Sequence, residues 1–491
     1  MPTTRSQAKR AKRAKLAVNQ LERPRVGINK LPPEVLSEIF VICDRSWDPL
    51  HGNWNLFVCQ IAFPSICRHW RKVALDTTAL WNKVTLLDRA PWHFSKLCLL
   101  RSGSTAPLDI DLGMDEKFWA GSEEGTLDES VQRAKDAFAF IVKHGGALSR
   151  WRTLTMVTDI FLVQVAAMTF LGKHHFPSLT SLEMTFNGPD EFDDKDRLAL
   201  QKHMRASPKV LFGGPLPQLR SVKLQGVPNP YLFGHRVHPQ LVGLTHLELR
   251  FEGLYPSLIN LNKMLIANPL LETLIINAET MIQWAIDSVD HENLSIVHLP
   301  KLQSLSFAQV VFPVWTLHAI KTLDAPHLIS FELTLNKIAY VTFNESNNVQ
   351  ALFDHIIGDQ NKTPPTPRFP SLRSLTLASE ELNSFYHDVA AVLAAYPEIT
   401  ALTLPSCWSL SPLLKRPWLT PNIERLRVGV QKLTQLKKVV SSRCKAGLPL
   451  RTVLVDNLEL EEEVKPSDRA QLRKYVDFAV VLDDGERIGE I

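Results

Sequence analysis

Apolar residues recur along most of this chain in one short pattern, Pro-x-Leu-x-x-Leu-x-Leu, with conservative apolar replacements. It reads FPSLTSLEM at 176–184, LPQLRSVKL at 216–224, NPLLETLII at 268–276, LPKLQSLSF at 299–307 and APHLISFEL at 325–333. It returns as FPSLRSLTL at 369–377, YPEITALTL at 396–404 and TPNIERLRV at 420–428. Leu244, Leu247 and Leu249 match without the proline, and LPLRTVLV at 448–455 lacks one residue. Trp151, Leu154 and Met156 form an earlier, degenerate copy. The first apolar position of each unit falls at 179, 219, 244, 271, 302, 328, 372, 399, 423 and 450, and six of the nine steps lie between 24 and 29 residues.

That period is the range of leucine-rich repeats. In each unit the x-Leu-x-Leu part alternates with period two and predicts a short parallel strand. Segments between units carry helical spacing, as in Leu258, Leu261, Leu265 and Ile266 or Val389, Val392 and Leu393. No unit can bury its own apolar face, but stacked units can. The expected fold is therefore α/β, a curved solenoid with an inner parallel sheet. The two long steps hold polar insertions at 187–208 and 359–368. Inner-face side chains flank the inward leucines: Ser181, Glu183, Ser221, Ser304 and Ser330 among the small and acidic ones, and Lys223, His246, Glu248, Arg250, Glu332, Arg425 and Arg427 as candidate substrate contacts. Arg425 and Arg427 are a local basic pair that suits a carboxylate or phosphate.

Upstream of the repeats the period changes. Leu31-Pro32-Pro33-Glu34 is a helix start. Val35, Leu36, Ile39 and Phe40 then fall at i, i+1, i+4 and i+5, one apolar stripe. Residues 44–54 read as a loop. A second apolar segment runs from Leu56 to Phe63 and stops at Pro64, and a third helix is expected from Ser65, with Ile66, Trp70, Val73 and Ala74 on one face. A core of about 50 residues is marginal alone and gains from a partner. Between this stretch and residue 150, Val84 to Leu86 and Leu108 to Leu112 alternate as strands, with helical patterns at Trp92–Leu100 and Val131–Val142. The chain thus divides into a basic tail (1–25), a helical module (26–83), a transitional region (84–150), the repeats (151–458) and a C-terminal cap or tail (459–491).

The chain has 491 residues, 45% hydrophobic and 22% charged, which are globular values. Its net charge of +4 is uneven: residues 1–25 hold eight Lys/Arg against one Glu, leaving 47 basic and 50 acidic groups for the rest. Lys9, Arg10, Lys12, Arg13 and Lys15 fit a nuclear import signal, a nucleic-acid contact or a solvated tail. Few aromatics accompany them, so stacking on single-stranded nucleic acid has no support. Six cysteines without a Cys-x-x-Cys point to a reducing compartment and buried thiols. No apolar core follows the charged N-terminus, and no run of about 18 apolar residues occurs, so neither a signal peptide nor a membrane span is expected. An intracellular protein of nucleus or cytoplasm follows.

No phosphate loop, nucleophile elbow or zinc-protease motif is present. His174-His175 lacks companions for a metal set. Cys67-Arg68-His69 lies on the helix that carries Trp70, and packing is its expected role. Asp109, Asp111 and Asp115 with Gly113 fall short of a calcium loop and read as exposed strand positions. No enzyme activity, metal or cofactor is expected.

The stretch from Leu31 to Trp81 resembles an F-box. The matching parts are Leu31-Pro32-x-Glu34-Val35-Leu36-x-x-Ile39-Phe40, Ile66-Cys67-Arg68-x-Trp70-Arg71 and Ala79-Leu80-Trp81. The departure is the link at residues 43–60, longer and more polar than usual. The wider layout, with Leu80-Trp81, a strand, then Arg101-Ser102-Gly103-Ser104-Thr105-Ala106-Pro107-Leu108, is similar to the F-box proteins with divergent leucine-rich repeats found in large numbers in mushroom-forming fungi. The resemblance implies docking on a Skp-type adaptor, and through it a cullin–RING ubiquitin ligase, with Leu31, Pro32, Val35, Leu36, Ile39, Phe40, Ile66 and Trp70 as adaptor contacts. The implied role is a non-enzymatic substrate receptor. Two rivals stand beside it: a repeat scaffold with no ligase connection, and a nuclear factor acting through the basic tail.

Overall fold

Paired prolines set the start of the first helix. In this computed structural model α1 spans Pro33–Ser46, with Pro33 in the first turn, where a missing N–H costs nothing, and Glu34 beside the positive helix end. The structure describes residues 28, 31–46, 58–119, 127–188, 198, 202–203, 209–233, 239–251, 255–277, 294–335, 343–358, 366–379, 386–405, 409–430, 433–456, 464–481 and 487–488. The basic cluster Lys9 to Lys15 and most of the polar link after α1 lie outside these residues.

Helix α2 covers Val58–Ile66 and α3 covers Arg68–Asp76. The expected break at Pro64 is displaced. Helix α2 continues through Pro64, whose carbonyl, in the last turn, accepts from Arg71 Nε at 2.8 Å, while Ser65 Oγ donates to Ile61 O at 2.7 Å. The chain turns at Cys67, which is extended (φ −158°, ψ 172°), and its sulfur accepts from the Trp70 amide at 3.4 Å. Cys67 is thus the N-cap of α3, which starts at Arg68 and not at Ser65. Phe40 stacks on Phe63 with ring centroids 4.3 Å apart, and Trp70 leans on both. A 3-10 turn at Thr78–Trp81 follows, and Trp81 Nε1 donates to Ala74 O at 2.7 Å.

From Lys83 onward strand and helix alternate. In chain order they are β1 (Lys83–Leu86), α4 (His93–Arg101), β2 (Leu108–Met114), α5 (Glu116–Trp119), α6 (Leu127–Lys143), β3 (Trp151–Thr158), α7 (Phe161–Lys173), β4 (Ser181–Phe186), β5 (Ser221–Gln225) and α8 (Asn229–Leu232). Next come β6 (His246–Arg250), α9 (Leu258–Ile266), β7 (Thr273–Asn277), β8 (Val297–His298), β9 (Ser304–Val310), α10 (Pro313–Thr322), β10 (Leu323–Asp324), β11 (Ser330–Leu335), α11 (Phe343–Ile357) and β12 (Ser374–Ser379). The last are α12 (Tyr386–Ala395), β13 (Ala401–Leu404), β14 (Arg425–Val428), α13 (Leu433–Lys445), β15 (Thr452–Asp456), α14 (Pro466–Arg473), β16 (Asp477–Val481) and β17 (Arg487–Ile488).

The protein is α/β with one large sheet. Fifteen of these strands join it in chain order, β8 and β10 pair separately, and every contact in the large sheet is parallel except β16 with β17. The sheet begins at Lys83: β1 and β2 are in register, Lys83 with Asp109 and Leu86 with Leu112. Residues 84–150 therefore belong to the same sheet as the later units, despite their weaker motif. The strand-and-crossover order keeps each strand of the large sheet beside the one before it in that sheet, so the sheet grows by local contacts. The apolar residue that opens each unit, such as Leu179, Leu244, Leu302 or Leu328, is fully buried, and alternate strand residues are buried after it. The buried set forms one continuous core from Leu36 to Val480. The helical module shares that core with the first strand, and inside the module Gln60 Nε2 donates to Leu80 O at 3.0 Å and to Asp44 Oδ1 at 3.1 Å.

Three buried polar side chains tie neighbouring units together. Asn268 accepts from the Leu244 amide at 2.8 Å and donates to Leu241 O and Met264 O. Arg150, 6% exposed, donates to Ala106 O at 2.8 Å, Gly145 O at 2.7 Å and Ser102 Oγ at 2.9 Å. Arg443, 1% exposed, donates to Thr420 O, Pro421 O and Ile423 O. The Arg101–Leu108 segment singled out in the sequence is thus a folded turn. Arg101 sits 4.4 Å over the Trp81 ring, Ser102 is buried, and Gly103 takes a left-handed φ of 73° that favours glycine.

His355 on α11 has a buried Nε2 with no hydrogen-bond partner. Burial, with Arg368 and Lys321 adding to it, pulls the ring down to about 4 from 6.5. Between those two values the unfolded chain holds the proton and the folded chain does not. Its contribution to stability is therefore complete above pH 6.5 and is lost as the pH falls toward 4. In His355→Phe the thermal midpoint is expected to fall less steeply over that window than in the wild type. Superimposable pH–midpoint curves would remove His355 from the acid response.

Candidate functional site: two interaction surfaces

The first surface is the outside of the helical module. The eight residues expected to contact an adaptor divide in two. Leu36, Phe40 and Trp70 are buried, so they build the module's own core. Pro32, Val35 and Ile66 are exposed, and Leu31 and Ile39 are half-buried. Helix α1 has two apolar faces. Leu36 and Phe40 point inward, while Val35, Ile39 and Ile42, spaced i, i+4 and i+7, form a second stripe outward. Ile42 is 62% exposed, Ile61 54% and Ile66 55%. Among the described residues, five of the fifteen exposed large hydrophobic side chains lie between Ile28 and Ile66. Scattered surface apolar residues are ordinary, but four of them on the two short helices α1 and α2, with Ile28 just before, are not. Ile42 and Ile61 were missed in the sequence. Ile42 was legible, one heptad beyond Val35, whereas Ile61 required the placement of α2.

The second surface is the open face of the sheet. Strand residues alternate between the buried core and this face, so parallel register aligns the open-face side chains in columns. One column runs Ser181, Ser221, His246, Thr273, Ser304, Ser330, Ser374, Ala401, Arg425, Thr452. The next runs Glu183, Lys223, Glu248, Ile275, Ser306, Glu332, Thr376, Thr403, Arg427, Leu454. Every candidate substrate contact falls in these columns except Arg250, which occupies a third beside Gln225 and Asn277.

Register turns sequence-distant charges into neighbours. Lys223 Nζ sits 3.1 Å from Glu183 and 3.8 Å from Glu248. Burial works against its charge, but the hydrogen bond and charge of Glu183, with Glu248 behind it, outweigh that and hold its pKa above the usual value. Ser306 Oγ donates to Glu332 at 2.8 Å. Arg427 donates through Nε and Nη2 to Asp456 Oδ1 at 2.8 and 2.7 Å. Arg425 is exposed, and no carboxylate faces it from Ala401 or Thr452 on the adjoining strands. His246 is exposed and touches the Thr245 hydroxyl at 2.8 Å.

The aspartates of β2 are not the exposed positions expected. Asp109 is half-buried, paired with Arg152 and bonded by Thr153 Oγ1 at 3.0 Å. Asp111 is half-buried too, and burial pushes its carboxyl upward, opposed by Lys83 and reinforced by Glu183. His174 and His175 each spend a ring nitrogen on a backbone carbonyl, Phe170 O at 2.8 Å and Pro215 O at 2.9 Å. Cys98 is buried, but Cys43 is exposed, and Cys407 lies outside the described residues. Among the described residues no cluster of three or more His, Cys, Asp or Glu is placed to hold a metal ion, and no helix is long and apolar enough to cross a membrane. No family model matches this chain, and no curated protein matches it.

Proposed function

We propose that this chain is a non-enzymatic substrate receptor of a ubiquitin ligase, in which an F-box docks a Skp-type adaptor and leucine-rich repeats present the open face to a protein substrate. The observation that carries the reading is the outward stripe Val35–Ile39–Ile42. It is joined by exposed Pro32 at the start of the same helix and by exposed Ile66 at the end of α2, on a module whose own core is already filled by Leu36, Phe40 and Trp70. An apolar stripe left over after the core is complete is what a coupled helix interface uses. The repeat reading is supported by the unit period and by strands that follow one another in chain order. It acts in the nucleus or cytoplasm, where the ligase subunits would meet it.

The test is co-purification of the full chain with a Skp-type adaptor. Val35→Asp with Ile66→Asp is expected to weaken adaptor binding by at least about 100-fold, since each charge would be buried without a partner. Both side chains are exposed in the free chain, so the thermal midpoint should stay within about 2 °C. If the wild type fails to bind the adaptor while folded, the receptor reading is lost and the repeat scaffold takes its place.

A further inference from the structure

The open face is electrically graded along the sheet. From β2 to β11 its first two columns carry Asp109, Asp111, Glu183, Glu248 and Glu332 against Lys223, with Arg152 bound to Asp109. From β12 to β15 the sign of those two columns reverses to Arg425 and Arg427; in the third column Arg250 lies at β6 and Asp456, bound to Arg427, at β15. Around Arg425 the neighbours are small: Ala401 and Thr452 on either side and Thr403 diagonally across. The guanidinium therefore stands clear of the face with hydroxyl donors beside it. The next acid in its column, Asp477, lies two strands away, about 10 Å at the usual strand spacing. That is a full screening length at physiological salt, and the adjoining carboxylate, Glu424, is paired with Arg451 at 3.2 Å, so neither acid holds Arg425. Arg427 is different: Asp456 holds one edge of its guanidinium and orients the other outward.

We propose that Arg425 and Arg427, with the Thr403 and Thr452 hydroxyls, form a socket for a carboxylate carried on an extended polypeptide that crosses the strands toward β6. Charge matching selects the carboxylate. Two guanidinium groups and one carboxylate leave a net of +1, which one Asp or Glu side chain or a chain terminus neutralises. A phosphate would leave about one negative charge in excess. The nearest acid toward the other end is Glu332, three strands from Arg427 and about 14 Å away; Glu248 lies six strands away, about 29 Å. At about 3.3 Å per extended residue, the bound segment carries a basic residue about four positions from its acid and a second about nine positions away. The proposal deepens the receptor reading by naming the chemistry of its substrate, and it rests on that reading for its biological role.

The test selects phage-displayed random twelve-residue peptides on the full-length chain. Enriched peptides are expected to contain Asp or Glu with Lys or Arg near those two spacings. A selected peptide should bind Arg425→Glu about 10- to 100-fold more weakly than the wild type. Reversing the peptide acid to Lys should restore binding to that variant, which mere damage to the face would not allow. No enrichment, enrichment of apolar or purely basic peptides, or equal binding to Arg425→Glu overturns the socket. Tighter binding when phosphoserine replaces the acid overturns its carboxylate preference. Adaptor binding measured on the same variant should be unchanged. A chain that binds no adaptor but selects these peptides separates failure of the ligase reading from failure of the socket.

Discussion

Replacing Phe40 by alanine is expected to unfold the helical module while the long sheet stays folded. The Phe40 side chain is fully buried, stacked on Phe63 at 4.3 Å and tilted against Trp70 at 5.0 Å, the two shortest contacts of the aromatic trio. Truncating a buried phenylalanine costs about 3–5 kcal/mol in transfer and cavity terms. A core of this size supplies only about that much in total. The rest of the chain is built differently: each unit contacts mainly its neighbours, so the loss is not passed down the array. Amide hydrogen exchange checks this residue by residue. Protection should collapse in α1, α2 and α3 and persist from β4 to β15. Uniform loss across the chain would mean that the module and sheet unfold as one unit. Phe40→Leu, which keeps most of the volume, should retain the protection.

A comparable loss is expected at Arg150, for a polar reason. In Arg150→Met, Ala106 O, Gly145 O and Ser102 Oγ lose their donor in a site that is 6% exposed. Each unmade buried hydrogen bond costs about 1–3 kcal/mol, so the change should destabilise by roughly 3–5 kcal/mol, somewhat offset by removing a buried charge. Carbonyl dipoles and a hydroxyl surround this guanidinium, and burial lowers its pKa. The planar fork reaches three acceptors in different directions. An ammonium group is a single point, so Arg150→Lys should recover less than half of the loss. Chemical denaturation followed at Trp81 and Trp151, which flank the clamp in the sequence, reads the effect. Full recovery by lysine would show that charge alone, and not the fork, holds the turn.

Both predictions depend on features of different visibility. The hydrophobic importance of Phe40 was legible from its i, i+4 spacing with Leu36. The clamp was not, because an arginine before a strand looks the same whether it is solvated or buried. Its partners lie 5, 44 and 48 residues away. The parallel strands from β4 to β15 were legible because x-Leu-x-Leu alternation is a local property and each strand simply adds to its predecessor. The strands β1 and β2 share the sheet although their units carry no Pro-x-Leu opening, so the motif undercounted the array.

What the chain's sequence determined by itself was periodicity: two residues for strands, 3.6 for helices, and 24 to 29 for most units. Periodicity assigns residues to faces, and in a stacked sheet that is nearly enough to state the α/β architecture. It does not say which face is covered. Only the tertiary structure decided that Leu36, Phe40 and Trp70 are core while Val35, Ile42 and Ile66 are surface, because burial depends on what packs from elsewhere in the chain. Register was likewise a tertiary matter. It brought Lys223 between Glu183 and Glu248, tied Arg427 to Asp456, and left Arg425 between Ala401 and Thr452 with no acid opposite. Those pairings arise from residues 24 to 40 positions apart meeting at one strand spacing, a distance that no local pattern encodes.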